Sequence, residues 1–200
     1  MKNTAIYNKR LSSTRRYINN LLEVYSKINI VRIDIAYKKP YSDNINLEEA
    51  YSDLNHMINN TRSNKTVFGH MVGYIIKREY TVDRGMHFHV VFIFNGQKMQ
   101  KDVYKAEQIG EYWIKVTDNR GSYHNCNRNE YKDTAIGMIN YYDYEKIEAL
   151  INKAVGYFCK DTQSISDLIE SKRYKAFTKG VAPKVNKSVG RPRTKAMGML

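Results

Sequence analysis

Only two cysteines stand among the 200 residues, Cys126 and Cys159, too few for a disulfide framework and without the paired spacing of a structural zinc site. That scarcity excludes a small disulfide-stapled fold and fits a reducing cytoplasm. No stretch approaches the roughly 18 apolar residues of a membrane span, and the polar, basic amino terminus has no apolar core of signal-peptide length. A soluble intracellular chain is therefore expected. Acidic residues are also in short supply, since 20 Asp and Glu face 33 Lys and Arg for a formal net charge of +13. That balance points to an anionic partner, nucleic acid first and an acidic membrane surface second. No His-Glu-x-x-His occurs, which argues against zinc-protease chemistry on a helix, and the strands are too few for a double-stranded β-helix oxygenase. No internal repeat is evident.

The 42% hydrophobic content is enough for one main domain with a sizeable core. Residues 10–27 carry Tyr17, Leu21, Leu22, Val24 and Tyr25 at helical spacing, and residues 29–37 alternate as a first strand before Lys39-Pro40. Asn46-Leu47-Glu48-Glu49 opens a helix, with Asn46 as cap and Leu47, Tyr51, Leu54 and Ile58 on its apolar face. Residues 67–80 read as a second strand, turning through Val82-Asp83-Arg84-Gly85 into a third that ends at Asn95-Gly96. A helix follows over 103–116, then an exposed polar loop over 117–133, a fourth strand over 134–142 and a helix over 144–162. The order βαββαβ predicts an α+β, ferredoxin-like or RRM-like antiparallel sheet, with helices on one face and the other left free for a site. The expected division is a helical segment over 1–28, a main domain over 29–170 and a basic tail over 171–200.

The chemistry is concentrated in Gly85-Met86-His87-Phe88-His89-Val90-Val91. A strand alternates its side chains, so His87 and His89 share a face with Val91 and Ile93, while Phe88, Val90, Phe92 and Phe94 fill the other. Two neutral imidazoles bind borderline metals well, and a carboxylate beside them completes a three-point site with open positions. With the turn centred near Asp83, Glu79 lies opposite His87 on the histidine face, although a one-residue slip would undo this. His70 has the opposite parity and is left out. From these residues alone, two surface histidines on the solvent side of a sheet remain an equal reading. Late in the chain, Gly156-Tyr157-Phe158-Cys159-Lys160-Asp161 places Tyr157 and Lys160 on one flank of a straight helix. A tyrosine hydroxyl, ordinarily of pKa about 10, needs nearby cations to attack a phosphodiester. Tyr-x-x-Lys alone is a weak pattern among 17 tyrosines, and Tyr157 reads equally as a half-buried packing residue.

His87-Phe88-His89 resembles the His-hydrophobic-His signature of HUH endonucleases, and Tyr157 with Lys160 resembles their catalytic tyrosine motif. Lys77-Arg78-Glu79, Gly85, Phe94-Asn95-Gly96 and Gly190-Arg191-Pro192-Arg193 make most of the chain after residue 30 similar to inovirus-type replication proteins of filamentous phages and prophages. The resemblance implies an HUH fold with a catalytic C-terminal helix and a rolling-circle replication initiator in the cytoplasm of a bacterial host. It implies Mg²⁺ or Mn²⁺ held by His87, His89 and Glu79, with Tyr157 as nucleophile assisted by Lys160. The products would be a 5′-phosphotyrosine link and a free 3′-OH. The implied partners are single-stranded DNA at an origin, in hairpin form, and host replication proteins, with Arg78, Arg191 and Arg193 touching DNA and no membrane involved. One tyrosine rather than a close pair departs from many phage initiators. Gly190-Arg191-Pro192-Arg193 resembles an AT-hook core for A·T-rich duplex, and reads equally as a basic end that binds phosphates without preference. Relaxases and single-tyrosine transposases share the chemistry. From another class, a non-catalytic RRM-like nucleic-acid-binding module shares the βαββαβ order, but it needs aromatics where His87 and His89 stand.

Overall fold

Apolar positions at three- and four-residue intervals, Tyr17, Ile18, Leu21 and Leu22 with Leu11 and the buried Thr14 before them, give the first helix one face to bury, and α1 runs over Lys2–Val24. The computed structural model describes residues 2–128, 135–160, 165 and 174–184. After α1 come β1 (Lys27–Tyr37), α2 (Leu47–Asn59), a single turn α3 (Lys65–Phe68), β2 (Met71–Thr81), β3 (Gly85–Asn95) and α4 (Asp102–Val116). Asn46 caps α2 as expected, its side chain accepting a hydrogen bond from the Glu49 amide at 2.9 Å. Then follow β4 (Gly121–Asn125), β5 (Gly137–Asn140), α5 (Tyr144–Ala149), a π-helical turn over Leu150–Ala154, α6 (Gly156–Cys159) and β6 (Phe177–Lys179).

The sheet is antiparallel, in the order β4-β1-β3-β2-β6, with β5 pairing the start of β1. The central four strands carry the ferredoxin-like order, as the βαββαβ reading predicts. The fourth strand is not where it was expected. Gly121–Asn125, inside the segment read as loop, pairs with β1 from Ile33↔Asn125 to Tyr37↔Gly121, and the segment expected as the fourth strand supplies only β5. Gly121-Ser122-Tyr123-His124-Asn125 has no apolar alternation, so sequence pattern gave no strand signal. What holds it is tertiary: the Gly121 amide donates to Thr117 Oγ1 at 2.8 Å, and a β-carbon on Gly121 would sit 2.7 Å from Trp113 Nε1.

Helices cover both faces of the sheet, not one. Phe88, Val90, Phe92, Phe94, Val31, Ile33 and Ile35 pack under α2, α3 and α4, with Trp113 fully buried among them. Ile28, Ile30, Ile75, Val91 and Ile93 form a second apolar face, packed under α1 and the α5–α6 segment. A central strand that is apolar on both faces has to be covered on both. The histidine face is consequently open only at one end. Segment 171–200 is not wholly a tail either, because β6 pairs β2 through Ile75↔Lys179, Ile76↔Thr178 and Lys77↔Phe177 and closes that edge.

Candidate metal centre and its tyrosine

The β2–β3 hairpin takes the register the sequence implied, with Glu79 opposite His87 and Lys77 opposite His89, and on the far side of β3 Asp34 opposite His89. Five polar side chains therefore gather at one end of an otherwise apolar face. Glu79 Oε2 lies 3.2 Å from His87 Nε2 and 3.0 Å from His89 Nε2, and Glu79, His87 and His89 each present a ligand atom within 4.8 Å of the others. The remaining ring nitrogens face oxygen acceptors, His87 Nδ1 the Gly85 carbonyl at 3.0 Å and His89 Nδ1 the Asp34 carboxylate at 2.8 Å. Imidazoles that meet an oxygen at Nδ1, by a hydrogen bond in His87 and by charge pairing in His89, and converge through Nε2 on one carboxylate are arranged as metal ligands are. The donor set fits a metal ion.

Tyr157 completes the group from the other layer. Its hydroxyl donates to Glu79, 3.1 Å from Oε1 and 3.2 Å from Oε2, and its ring lies edge-on to His89 with centroids 5.4 Å apart. The Lys77 ammonium pairs with Glu79 Oε1 and lies 4.3 Å from the centre of the Tyr157 ring. Arg32 stands over Phe158, 5.5 Å from its ring centre, and 3.8 Å from Asp34.

Charges follow from these contacts. Burial pushes the Glu79 carboxyl up, but His87, His89 and Lys77 outweigh it and hold the group well below the usual carboxylate range. Asp34 is likewise raised by burial and brought below its ordinary value by His89, Arg32 and His124. Burial favours neutral His89, yet Asp34 and Glu79 reverse this and push it up to about 8. Burial, reinforced by the Glu79 carboxylate, pushes the Tyr157 hydroxyl up to about 12. As it stands, the tyrosine is a protonated donor on a carboxylate.

The structure thus brings together Glu79, His87, His89 and Tyr157. It does not bring Lys160 with them: α6 ends at Cys159, and Lys160 is exposed on extended backbone just beyond it. Arg78 faces the opposite layer. It is buried there, stacked over Tyr51 at 4.7 Å and donating to Lys175 O at 3.1 Å and Thr178 Oγ1 at 2.9 Å, so it anchors the β6 segment and is not offered to DNA. Arg191 and Arg193, with the Gly190-Arg191-Pro192-Arg193 motif, lie outside the described residues. Two residues of the site, Lys77 and Asp34, have no chemical role assigned from the sequence. Lys77 carries the same odd parity as Glu79 two residues on, so strand alternation alone would have found it; Asp34 needed the β1–β3 register.

Fold and site together define an α+β, ferredoxin-like domain with a buried Glu-His-His group able to hold a metal ion and a tyrosine against it. The chain belongs to the YagK/YfjJ C-terminal domain family, whose model matches residues 1–179. No curated protein and no solved structure matches it. No helix among the described residues is long and apolar enough to cross a membrane.

Proposed function

We propose that this chain is an HUH-type tyrosine endonuclease that initiates rolling-circle replication, nicking single-stranded DNA at an origin and holding the 5′ end as a phosphotyrosine. The observation that carries the reading is the Tyr157 hydroxyl, 3.1 Å from a carboxylate that also meets both Nε2 atoms of the His-Phe-His strand. A divalent ion there, Mg²⁺ or Mn²⁺, would supply Lewis-acid polarisation of the scissile phosphate. Glu79, His87 and His89 would hold it, with Gly85 O and Asp34 fixing the two rings. Tyr157 supplies the nucleophile: its oxygen forms a bond to phosphorus, the bond to the 3′ oxygen breaks, and the phenolic proton passes to solvent while the 3′ oxygen takes one from solvent. One phosphodiester is exchanged for another, so rejoining needs no ATP, and the 3′-OH can prime a polymerase. The net charge of +13 supports a phosphate-rich partner.

Relaxases and single-tyrosine transposases would use the same residues, and the DNA that is cut separates them. An RRM-like binding module is disfavoured, because the face it would keep open for bases is packed under α1 and the α5–α6 segment. The test is incubation with Mn²⁺ and labelled single-stranded DNA carrying the origin of its own replicon, followed by denaturing electrophoresis. The wild type should give a denaturation-resistant adduct, Tyr157→Phe should lose it while still binding DNA, and His87→Ala should abolish Mn²⁺-dependent cleavage. A wild-type protein that binds neither Mn²⁺ nor Mg²⁺ and nicks no such strand would overturn the reading.

A further inference from the structure

Lys77 is among the most deeply buried side chains in the molecule, 1% exposed, although lysine is almost never fully buried unless paired. Its place follows from the strand: Ile75, Lys77 and Glu79 alternate onto the same face, and Ile75 belongs to the apolar layer there. At that position the ammonium meets Glu79 Oε1 and the face of Tyr157, whereas Glu79 Oε2 meets the two imidazoles. The carboxylate's oxygens are therefore divided, one for a fixed protein cation and one for the histidines.

Two consequences follow with opposite sign. A fixed positive charge on the ligand carboxylate cancels its charge and repels an incoming divalent ion, which weakens ion binding. The same charge leaves a loaded site net positive towards an anionic phosphate and towards negative charge developing on Tyr157, which favours the reaction. Burying an ammonium beside a metal site is costly, and neutralising Glu79 does not require it once an ion is bound. We propose that Lys77 is a positioning residue that divides the oxygens of Glu79 and lowers metal affinity in exchange for a more reactive Tyr157. The activity half of this rests on the nuclease reading; the affinity half does not. It also gives Lys77 the role that the resemblance assigns to Lys160.

The test uses the full chain and two readouts. Titration with Mn²⁺ alone, followed by electron paramagnetic resonance of the free ion, should show Lys77→Met binding about tenfold tighter than wild type, from loss of one nearby like charge. At saturating Mn²⁺ the same variant should form the DNA adduct at least about tenfold more slowly, with DNA affinity unchanged. Lys77→Arg, which restores the charge, should bring Mn²⁺ affinity back towards wild type. A merely structural lysine would weaken both readouts on removal, so Mn²⁺ binding that is weaker or unchanged in Lys77→Met overturns the proposal. If Lys77→Met does not fold, Lys77→Gln keeps a hydrogen bond to Glu79 without the charge and is read in the same way. Should the wild type form no adduct, the nuclease reading falls, and the Mn²⁺ titration still decides the role of Lys77.

Discussion

His89 stands between two carboxylates, Asp34 at 2.8 Å from Nδ1 and Glu79 at 3.0 Å from Nε2, so without metal it is best served by a proton on each nitrogen. Although burial favours the neutral ring, those carboxylates raise it from 6.5 to about 8. A metal needs the bare Nε2, hence binding below pH 8 must expel a proton. Apparent Mn²⁺ affinity should rise with pH up to about 8, at up to about tenfold per unit, and flatten above it. Calorimetry in buffers of different ionisation enthalpy should count close to one proton released at pH 7 and fewer at pH 9; affinity flat from pH 6 to 8 would refute the assignment. Because the folded value lies above the unfolded one, the metal-free protein holds this stabilisation below pH 6.5 and loses it as pH rises through about 8. Asp34→Asn removes one of the two charges, so its affinity plateau should begin at lower pH. At this scale the residues of the candidate metal group were legible, since parity and a turn centred at Asp83 suffice for Glu79, His87 and His89. Tyr157 was legible as chemistry and not as geometry, because nothing in its sequence announces the π-helical turn before it.

The hairpin joining β2 to β3 is the element that builds the site. Gly85 opens β3 with φ of +69°, and a β-carbon there would lie 2.3 Å from the Ser42 carbonyl oxygen, a backbone atom that cannot swing away. Its own carbonyl receives His87 Nδ1. Gly85→Ala should therefore cost about 1–3 kcal/mol of stability through backbone strain and overlap, and should also weaken Mn²⁺ binding by turning His87. Met57→Ala, on the buried face of α2 in the far layer, should cost about 2–5 kcal/mol as a cavity while leaving Mn²⁺ affinity unchanged. Chemical denaturation and Mn²⁺ titration of both variants separate a site element from a merely stabilising one; equal losses of affinity would sink the distinction. Elements with their own signals were readable: the capped α2, α4 and the alternating β2–β3 pair. β4 and β6 were not, because both are short polar strands recruited by the exposed edges of β1 and β2.

Over the whole molecule, one sheet divides two cores, and the candidate metal group lies on one side while Trp113 lies buried on the other, its Nε1 donating to the Ala36 carbonyl at 2.9 Å. Trp113 is the only tryptophan, so its fluorescence reports the far core and not the site. An ion that binds only the folded chain stabilises it by about 2.7 kcal/mol at one hundred times its Kd, and a domain of this size gains about 2–4 °C per kcal/mol. Mn²⁺ at that concentration should thus raise the Tm followed at Trp113 by about 5–11 °C, if the layers unfold as one unit. His87→Ala and His89→Ala should each remove the shift, while Tyr157→Phe should keep it. The shared sheet is the reason to expect coupling: Phe88 and Val90 in the far core alternate along β3 with His87 and His89, so the site strand cannot leave without opening both layers. A shift seen by circular dichroism but not at Trp113 would mean that the two layers unfold separately. A shift that survives both histidine variants would place the ion elsewhere on the chain, and the Glu79-His87-His89 group would then be a hydrogen-bonded cluster that binds no metal.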